Sequence, residues 1–344
     1  MSCYRLAFLG FGNVGRALAR LLLREQAKLR ARYGVEFMVT GIATGRHGYA
    51  LAPQGLDLAA ALEMAEKGHD LSALSTAPPP SDGLDFVRQV AADVLFENTP
   101  VNYDTGEPAV SHIRTALERG MHVATANKGP VVHAYASLSA LARRQGRRFF
   151  FESAVMDGAP IFSLFREALP AAEVRAFRGI LNSTTNLILT RMETHHETFD
   201  QAVAYAQHIG IAETDPSGDV DGWDAAIKVA ALVTVLMGVP LKPQEVEREG
   251  IRGIDRAAVQ QAAAQGQRWK LVCEARRTPQ GIVARVAPQQ VDATSPLHGV
   301  MGTSSIVTFE TDVLGALSVR EDDPGPHTTA YGLLADFLNA VRAA

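Results

Sequence analysis

Leu6-Ala7-Phe8-Leu9-Gly10-Phe11-Gly12-Asn13-Val14-Gly15, followed by the run from Arg16 to Arg32, decides the first half of the fold. Four apolar residues lead into three glycines at G-x-G-x-x-G spacing, and Leu18, Leu21, Leu22 and Leu29 then recur as on one face of a helix. A second apolar run, Phe37 to Ala43, closes at Thr44-Gly45-Arg46, inside the ~30 residues of a βαβ unit. In that setting the first glycine permits the tight turn, the second lets backbone approach a pyrophosphate, and the third admits close helix packing. Gly10, Phe11, Gly12, Asn13, Val14 and Gly15 are therefore the candidate dinucleotide loop, with the pyrophosphate on the helix N-terminus. Glycines also mark ordinary turns, and the strand before and helix after are what favour the nucleotide reading. The second strand ends in Ala43-Thr44-Gly45-Arg46-His47 without the acid that takes a ribose 2′-hydroxyl, so Arg46 favours NADP over NAD unless it is simply a solvated arginine.

Outward from this stretch, strands are predicted at Val94 to Glu97, Met121 to Ala124 and Arg148 to Glu152, with helices at Ser111 to Arg119 and Ala134 to Gln145 and a proline-rich loop at Thr76 to Ser81. Alternation of this kind calls for an α/β fold, a doubly wound, mostly parallel sheet with helices on both faces. Beyond Pro160 the pattern changes. A short strand ends between Gly179 and Ser183, helices are expected at Thr185 to Glu193, Ala202 to Ile209 and Asp224 to Met237, and strands at Leu271 to Val286 and Ile306 to Leu317. That mixture predicts a second, α+β domain with a mixed sheet. The expected division is 1–150 for the nucleotide domain, completed by a C-terminal helical segment 318–344, and 151–317 for the second domain; the amphipathic run Thr328 to Val341 is the returning helix.

Composition narrows the function. The 344 residues are 47% hydrophobic and 20% charged, which excludes disorder, collagen and coiled coil. The net charge of -4 argues against general attraction to nucleic acid or anionic membranes and leaves a small molecule as the default partner. Cys3 and Cys273 cannot build a disulfide framework, in keeping with a reducing, cytoplasmic address. The longest uncharged apolar run, Val229 to Leu241, has 13 residues against the ~18 to 20 of a membrane span, and the N-terminal residues run into the first strand with no signal-peptide pattern.

Glu213-Thr-Asp215-Pro-Ser-Gly-Asp219-Val-Asp221-Gly-Trp223-Asp224-Ala-Ala-Ile-Lys228 carries the strongest chemical signal. Four acids precede Asp224, and Asp224 and Lys228 stand four apart on an expected helix, hence on one face. A lysine among carboxylates beside Trp223 and Val229 is open to tuning of its proton affinity; an acidic loop with a surface helix pair is the plainer alternative. Asn182-Ser183-Thr184-Thr185 reads as a polar helix cap. His195 and His196 lack metal-ligand spacing, and no serine sits in a nucleophile elbow.

Taken together, GFGNVG at 10–15, ENTPVNYDTGEPA at 97–109, ANKGPVV at 126–132, ESAVMDGAPI at 152–161, GILNSTTN at 179–186 and the acid-to-lysine stretch at 213–228 make the chain similar to homoserine dehydrogenase over nearly its whole length, in a short form. The resemblance implies a Rossmann domain, a substrate and dimerisation domain, a homodimer, and NAD(P)-dependent interconversion of L-homoserine and L-aspartate 4-semialdehyde in threonine and methionine biosynthesis. It implies Lys228 as the proton-exchanging lysine with Asp224 beside it, Lys128 as a second active-site lysine, and Glu213 and Asp219 as acids of the substrate pocket. Asn182, Ser183 and Thr184 join the substrate set; Thr99, Lys128 and Gly302 join the cofactor set. Glu152, Val155, Asp157 and Ala159 match a loop whose backbone carbonyls hold a sodium ion. Homoserine's ammonium, carboxylate and hydroxyl call for acids, donors and a proton acceptor, which this set contains. Two other readings stay open: a non-catalytic NAD(P)-sensing protein, which has no need of Lys228, Asp224, Glu213 and Lys128, and a dehydrogenase of a related amino-acid semialdehyde. Only 16 residues follow Thr328, against the ~40 a domain needs, so little threonine inhibition through a dedicated allosteric site is expected.

Overall fold

Strand β1 (Ser2–Leu9) buries Leu6, Ala7, Phe8 and Leu9 in succession, as a strand covered on both faces must. In the computed structural model, which describes residues 2–342, it lies near the centre of a six-stranded sheet. The helix that follows, α1 (Asn13–Tyr33), starts directly after Gly12 and stops at Gly34, whose left-handed φ of 65° lets its N–H cap the carbonyls of Leu29 and Arg30. Next come β2 (Val35–Ala43), β3 (Tyr49–Leu51), α2 (Leu58–Glu66), α3 (Gly83–Gln89), β4 (Val94–Glu97), α4 (Ala109–Glu118), β5 (His122–Thr125), α5 (Lys128–His133), α6 (Tyr135–Arg144) and β6 (Phe149–Phe150). The strand order is β3-β2-β1-β4-β5-β6, with parallel pairing except for β3, which runs antiparallel along the edge of β2. The chain therefore reverses direction of growth between β1 and β4, the crevice where open α/β sheets bind ligands. Helix α1 packs with α2, and α4 packs with α3, α5 and α6.

The chain forms two compact units. Unit 1 runs through Pro160 and resumes at Gly325; unit 2 is Ile161–Pro324. Two expected boundaries move. The strand expected at Arg148 to Glu152 shrinks to Phe149–Phe150, because the Glu152 N–H turns away from the sheet and donates to Asp336 Oδ2 at 2.8 Å. Residues 151–160 then pack on the last helix, α13 (Pro326–Arg342): Ser153 Oγ donates to the Thr329 carbonyl at 2.7 Å, and a Cβ on Gly158 would collide with the Thr328 carbonyl. At the other boundary, residues 318–321 are not helix but the end of a unit 2 strand, so the returning helix begins at Pro326 rather than 318. It places Leu333, Leu334 and Phe337 in one hydrophobic core cluster of unit 1 with Leu18, Leu22 and Phe96. Burying side chains of this size contributes about 1.5–3 kcal/mol each.

Unit 2 contains α7 (Ile161–Ser163), β7 (Val174–Ile180), α8 (Ser183–Thr194), α9 (Phe199–His208), α10 (Ser217–Val220), α11 (Trp223–Leu236), β8 (Glu247–Arg248), α12 (Arg256–Ala264), β9 (Arg268–Thr278), β10 (Gly281–Val291), β11 (Ser305–Thr311) and β12 (Gly315–Glu321). Its sheet has the order β12-β11-β7-β9-β10-β8 and is mixed, β8 alone pairing in parallel. Two hairpins, β9/β10 and β11/β12, supply the β-branched runs that the sequence shows between 271 and 317. Helix α11 is apolar nearly all round and buries Ala225 through Ile227 and Val229 through Thr234, leaving Asp224 and Lys228 as its polar residues near the N-terminus.

Candidate active site

In unit 1 the glycine loop is built by close backbone approaches. The Gly10 N–H donates to the Ala43 carbonyl at 2.9 Å, and Leu9's carbonyl accepts from the Asn98 N–H at 2.7 Å, tying the ends of β1, β2 and β4 together. Gly10 has φ 98°, and a Cβ there would collide with the Asn98 carbonyl; a Cβ on Gly15 would stand 2.6 Å from the Gly10 carbonyl. A Cβ on Gly12 would meet nothing within 4 Å, so the middle glycine faces open space. No side chain caps α1 at Gly12 and its first turn holds no acid, which leaves the N–H groups and the positive end of the helix dipole for an anion. These are the three roles that a dinucleotide loop assigns to its glycines, and the chain fits the cofactor.

A cavity of about 470 Å³ opens here, lined among others by Gly10, Thr44, Gly45, Thr99, Pro100 and His112. Beneath it lies a carboxylate that the sequence reading missed. Glu97 at the end of β4 is fully buried; its Oε1 accepts from the Thr99 N–H at 3.2 Å and from the Thr99 hydroxyl, and its Oε2 from Thr125 Oγ1 at 3.1 Å. His112 Nδ1 lies 3.8 Å from Oε1. Asn127, also missed, caps α5 through the Gly129 N–H at 3.0 Å and donates to the Thr99 carbonyl at 3.0 Å, which brings the first residue of α5, Lys128, and the Thr99 segment into one arrangement. Neither residue had a spacing signal, since strand pairing is what brings 97, 112, 125 and 127 together. Arg46 is exposed on the loop after β2, where its N–H and that of His47 reach Thr44 Oγ1 at 3.3 and 2.5 Å. The same loop has an acid that local sequence could not show: a Cβ on Gly48 would lie 2.8 Å from Asp70 Oδ1, although that oxygen already accepts from the Ser72 N–H. In the Glu152 to Ala159 segment, Glu152, Val155 and Ala159 are buried, and Asp157, at φ 44°, accepts from Thr329 Oγ1 at 2.5 Å.

In unit 2 the site is made of side chains. Lys228 Nζ stands 2.9 Å from Asp224 Oδ2 and donates to the Leu181 carbonyl at 2.6 Å. Both side chains of the pair are only 14% exposed, so this is no surface helix pair. Asn182, the N-cap of α8, accepts from the Thr185 N–H at 2.8 Å and uses its amide to reach Asp219 Oδ1 at 2.6 Å and Asp224 Oδ2 at 3.0 Å. A single amide thus gathers two carboxylates and, through Asp224, the lysine. Burial and the neighbouring Asp224 charge raise the Asp219 pKa, against the opposing pull of Asn182, Lys228 and Thr184. Ser183 opens α8, and Thr184 behind it is buried. Glu213 is exposed, on a turn whose carbonyl accepts from Gln207 Nε2 at 3.1 Å. Gly302, at φ 63°, lies in the loop between β10 and β11, its N–H on Thr190 Oγ1 at 3.0 Å and its carbonyl on Asn186 Nδ2 at 3.0 Å. His195 and His196 are exposed.

Comparison with known proteins identifies the family. Residues 10–152 match the model of the homoserine dehydrogenase NAD-binding domain, and residues 160–338 match that of homoserine dehydrogenase. The chain is 36% identical to an NAD(+)-dependent homoserine dehydrogenase of Pseudomonas canavaninivorans, covering 100% of this chain and 98% of that one. It is 36% identical to a homoserine dehydrogenase of Methanocaldococcus jannaschii, covering 98% of each. A solved hyperthermophilic archaeal homoserine dehydrogenase in complex with NADPH superposes with a TM-score of 0.83 at 30% identity, covering 100% of this chain and 99% of that one. A lysine held by a carboxylate at the head of a buried helix, a dinucleotide loop and full-length similarity converge: the chain belongs to the homoserine dehydrogenase family of NAD(P)-dependent oxidoreductases acting on a CH–OH group.

Proposed function

We propose that the chain interconverts L-homoserine and L-aspartate 4-semialdehyde, with Lys228 as the proton-exchanging residue. The observation that carries this reading is the Asn182, Asp219, Asp224 and Lys228 cluster. With both carboxylates ionised against one ammonium, the cluster carries one excess negative charge, which suits the substrate ammonium. An arriving ammonium favours the charged form of Asp219 that burial disfavours. Leu181's carbonyl and Asp224 fix the Lys228 Nζ, so that its proton is delivered to, or its lone pair takes a proton from, the substrate oxygen. NAD(P), when bound, exchanges a hydride with the carbon bearing that oxygen. Glu213 is assigned to the substrate amino group, Ser183 and Thr184 to substrate hydrogen bonds, and Lys128, Thr99 and Gly302 to the cofactor side of the reaction.

Arg46 is assigned to a 2′-phosphate, supported by its exposure after β2; Asp70 beside the same loop supports use of NAD as well. The Glu152 to Ala159 carbonyls are assigned to a monovalent cation such as sodium. A homodimer in the cytoplasm is the setting of this reading. Support for the dimer is a groove of about 600 Å³ on the unit 2 sheet, where Arg178, Glu274, Arg276 and Val283 offer charge of both signs beside apolar surface. Initial rates with homoserine and each cofactor, at pH 7 to 10 with and without sodium or potassium, test the reaction; light scattering tests the dimer. Folded, cofactor-binding protein that oxidises homoserine with neither NADP nor NAD would sink the assignment.

A further inference from the structure

We propose that Lys270 is a positioning residue for this reaction: a buried amine on β9 that, through Asn186, locks α8 and the loop at 300–304 in one arrangement and so keeps the Asn182, Asp219, Asp224 and Lys228 cluster assembled before substrate arrives. The role rests on the reaction proposed above.

Lys270 is 1% exposed. Its Nζ donates to Asn186 Oδ1 at 2.8 Å and to the Val300 carbonyl, with Met301 Sδ at 3.6 Å. Asn186, equally buried, turns its amide on three carbonyls of one loop: Val300 at 3.3 Å, Gly302 at 3.0 Å and Ser304 at 3.2 Å. One turn further along α8, Thr190 Oγ1 accepts the Gly302 N–H at 3.0 Å. Asn182, Asn186 and Thr190 recur every four residues and so stand on one face of the helix. At the head of that face Asn182 grips Asp219 and Asp224; below it Asn186 and Thr190 grip the loop, and Lys270 fastens helix to loop from the sheet.

An apolar residue would occupy this position at lower cost. Burial pulls the Lys270 ammonium down to about 7, with Glu193 pulling it up and Arg268 pushing it further down. Val300, whose carbonyl Lys270 reaches, belongs to an apolar cluster with Ile180, Val272, Val291, Leu297 and Ile306, so a donor or acceptor left unmet there finds no ready substitute. Methionine in place of the lysine would bury its chain without desolvating a charge. What the lysine adds is direction: one hydrogen bond to α8 and one to the 300–304 loop, which together fix both against the sheet. Its consequence is felt at Asn182, because a misplacement of about 1 Å at a reacting group costs on the order of 10²-fold in rate.

The test is a set of steady-state measurements on wild type, Lys270→Met, Asn186→Leu and the double variant, each checked for folding by thermal unfolding. Lys270→Met should lower kcat by roughly 10- to 100-fold and raise the KM for homoserine. The double variant should be no slower than the slower single variant, since both changes break one device. A purely structural lysine would lower the melting temperature and leave the kcat of the folded fraction alone. Should Lys270→Met fail to fold, Lys270→Gln, which keeps a donor, and Asn186→Leu carry the same comparison. An active wild type beside a folded Lys270→Met with kcat within about threefold, or effects that multiply in the double variant, overturns the role alone. A wild type that turns over no homoserine overturns the reaction and the role together.

Discussion

The glycine loop of unit 1 and the polar cluster of unit 2 are made of opposite materials. At Gly10 and Gly15 the site exists because side chains are missing: backbone meets backbone where a Cβ would collide or crowd, and the middle glycine leaves space for a ligand. Around Lys228 the site exists because side chains are present, an amide and two carboxylates converging on one another and on a lysine from three places in the chain. Backbone sites recognise a large ligand through shape and dipoles, and they tolerate almost no added atoms. Side-chain sites place charge and protons, and they tolerate changes of shape better than changes of titration.

Four experiments bear on that contrast. The largest effect is expected from Lys228→Ala, which removes the proton donor and should lower kcat by about 10²- to 10⁴-fold while leaving the dissociation constant for NAD(P) unchanged. Near-normal turnover would remove Lys228 from the chemistry.

The second separates the glycines. Gly10→Ala forces a Cβ onto the Asn98 carbonyl at positive φ, so it should lower the melting temperature and weaken NAD(P) binding together, with strain alone costing about 1–3 kcal/mol. Gly12→Ala meets nothing in the protein and should weaken NAD(P) binding by about tenfold or more with an unchanged melting temperature. If Gly12→Ala binds normally, the loop does not hold a pyrophosphate.

Acid stability should be set in unit 1 by His122. Burial, reinforced by Arg147 and Arg148, lowers its pKa from 6.5 to about 4, and its Nδ1 accepts from the Arg148 N–H at 3.1 Å. Between pH 6.5 and about 4 the unfolded chain binds this proton and the folded chain does not, so stability falls as pH falls through that window. The contribution is of order 2 kcal/mol after allowance for solvent screening. His122→Asn keeps an acceptor without the titration and should flatten the fall in urea midpoint from pH 6.5 to 4; an unchanged slope would assign acid sensitivity elsewhere.

The smallest effect concerns the cofactor's far end. Arg46→Ala should raise the KM for NADP by about 3- to 10-fold and that for NAD by less than twofold, in line with the modest worth of an exposed ion pair. Equal effects on both would reject the 2′-phosphate assignment and point to the acid side of the loop, Asp70.

The amino-acid sequence by itself determined whatever depends on neighbours within a few residues. The glycine loop, the strand at Val94 to Glu97 and the four-residue spacing of Asp224 and Lys228 needed only local period and residue type, since strand, turn and helix geometry act over that range. Only the tertiary structure decided what depends on distant partners. Sheet pairing brought Glu97 to Thr125 and His112; a turn from residue 70 brought an acid to Gly48. Packing against α13 took residues 151–160 into unit 1, because the Glu152 N–H and the Ser153 hydroxyl found partners there. Lys270 reads in sequence as one more charge in a strand; its 84-residue reach to Asn186 is what makes it a buried anchor. Period and propensity act over one or two turns of chain, whereas burial and hydrogen-bond satisfaction are settled only when segments far apart in sequence close on each other.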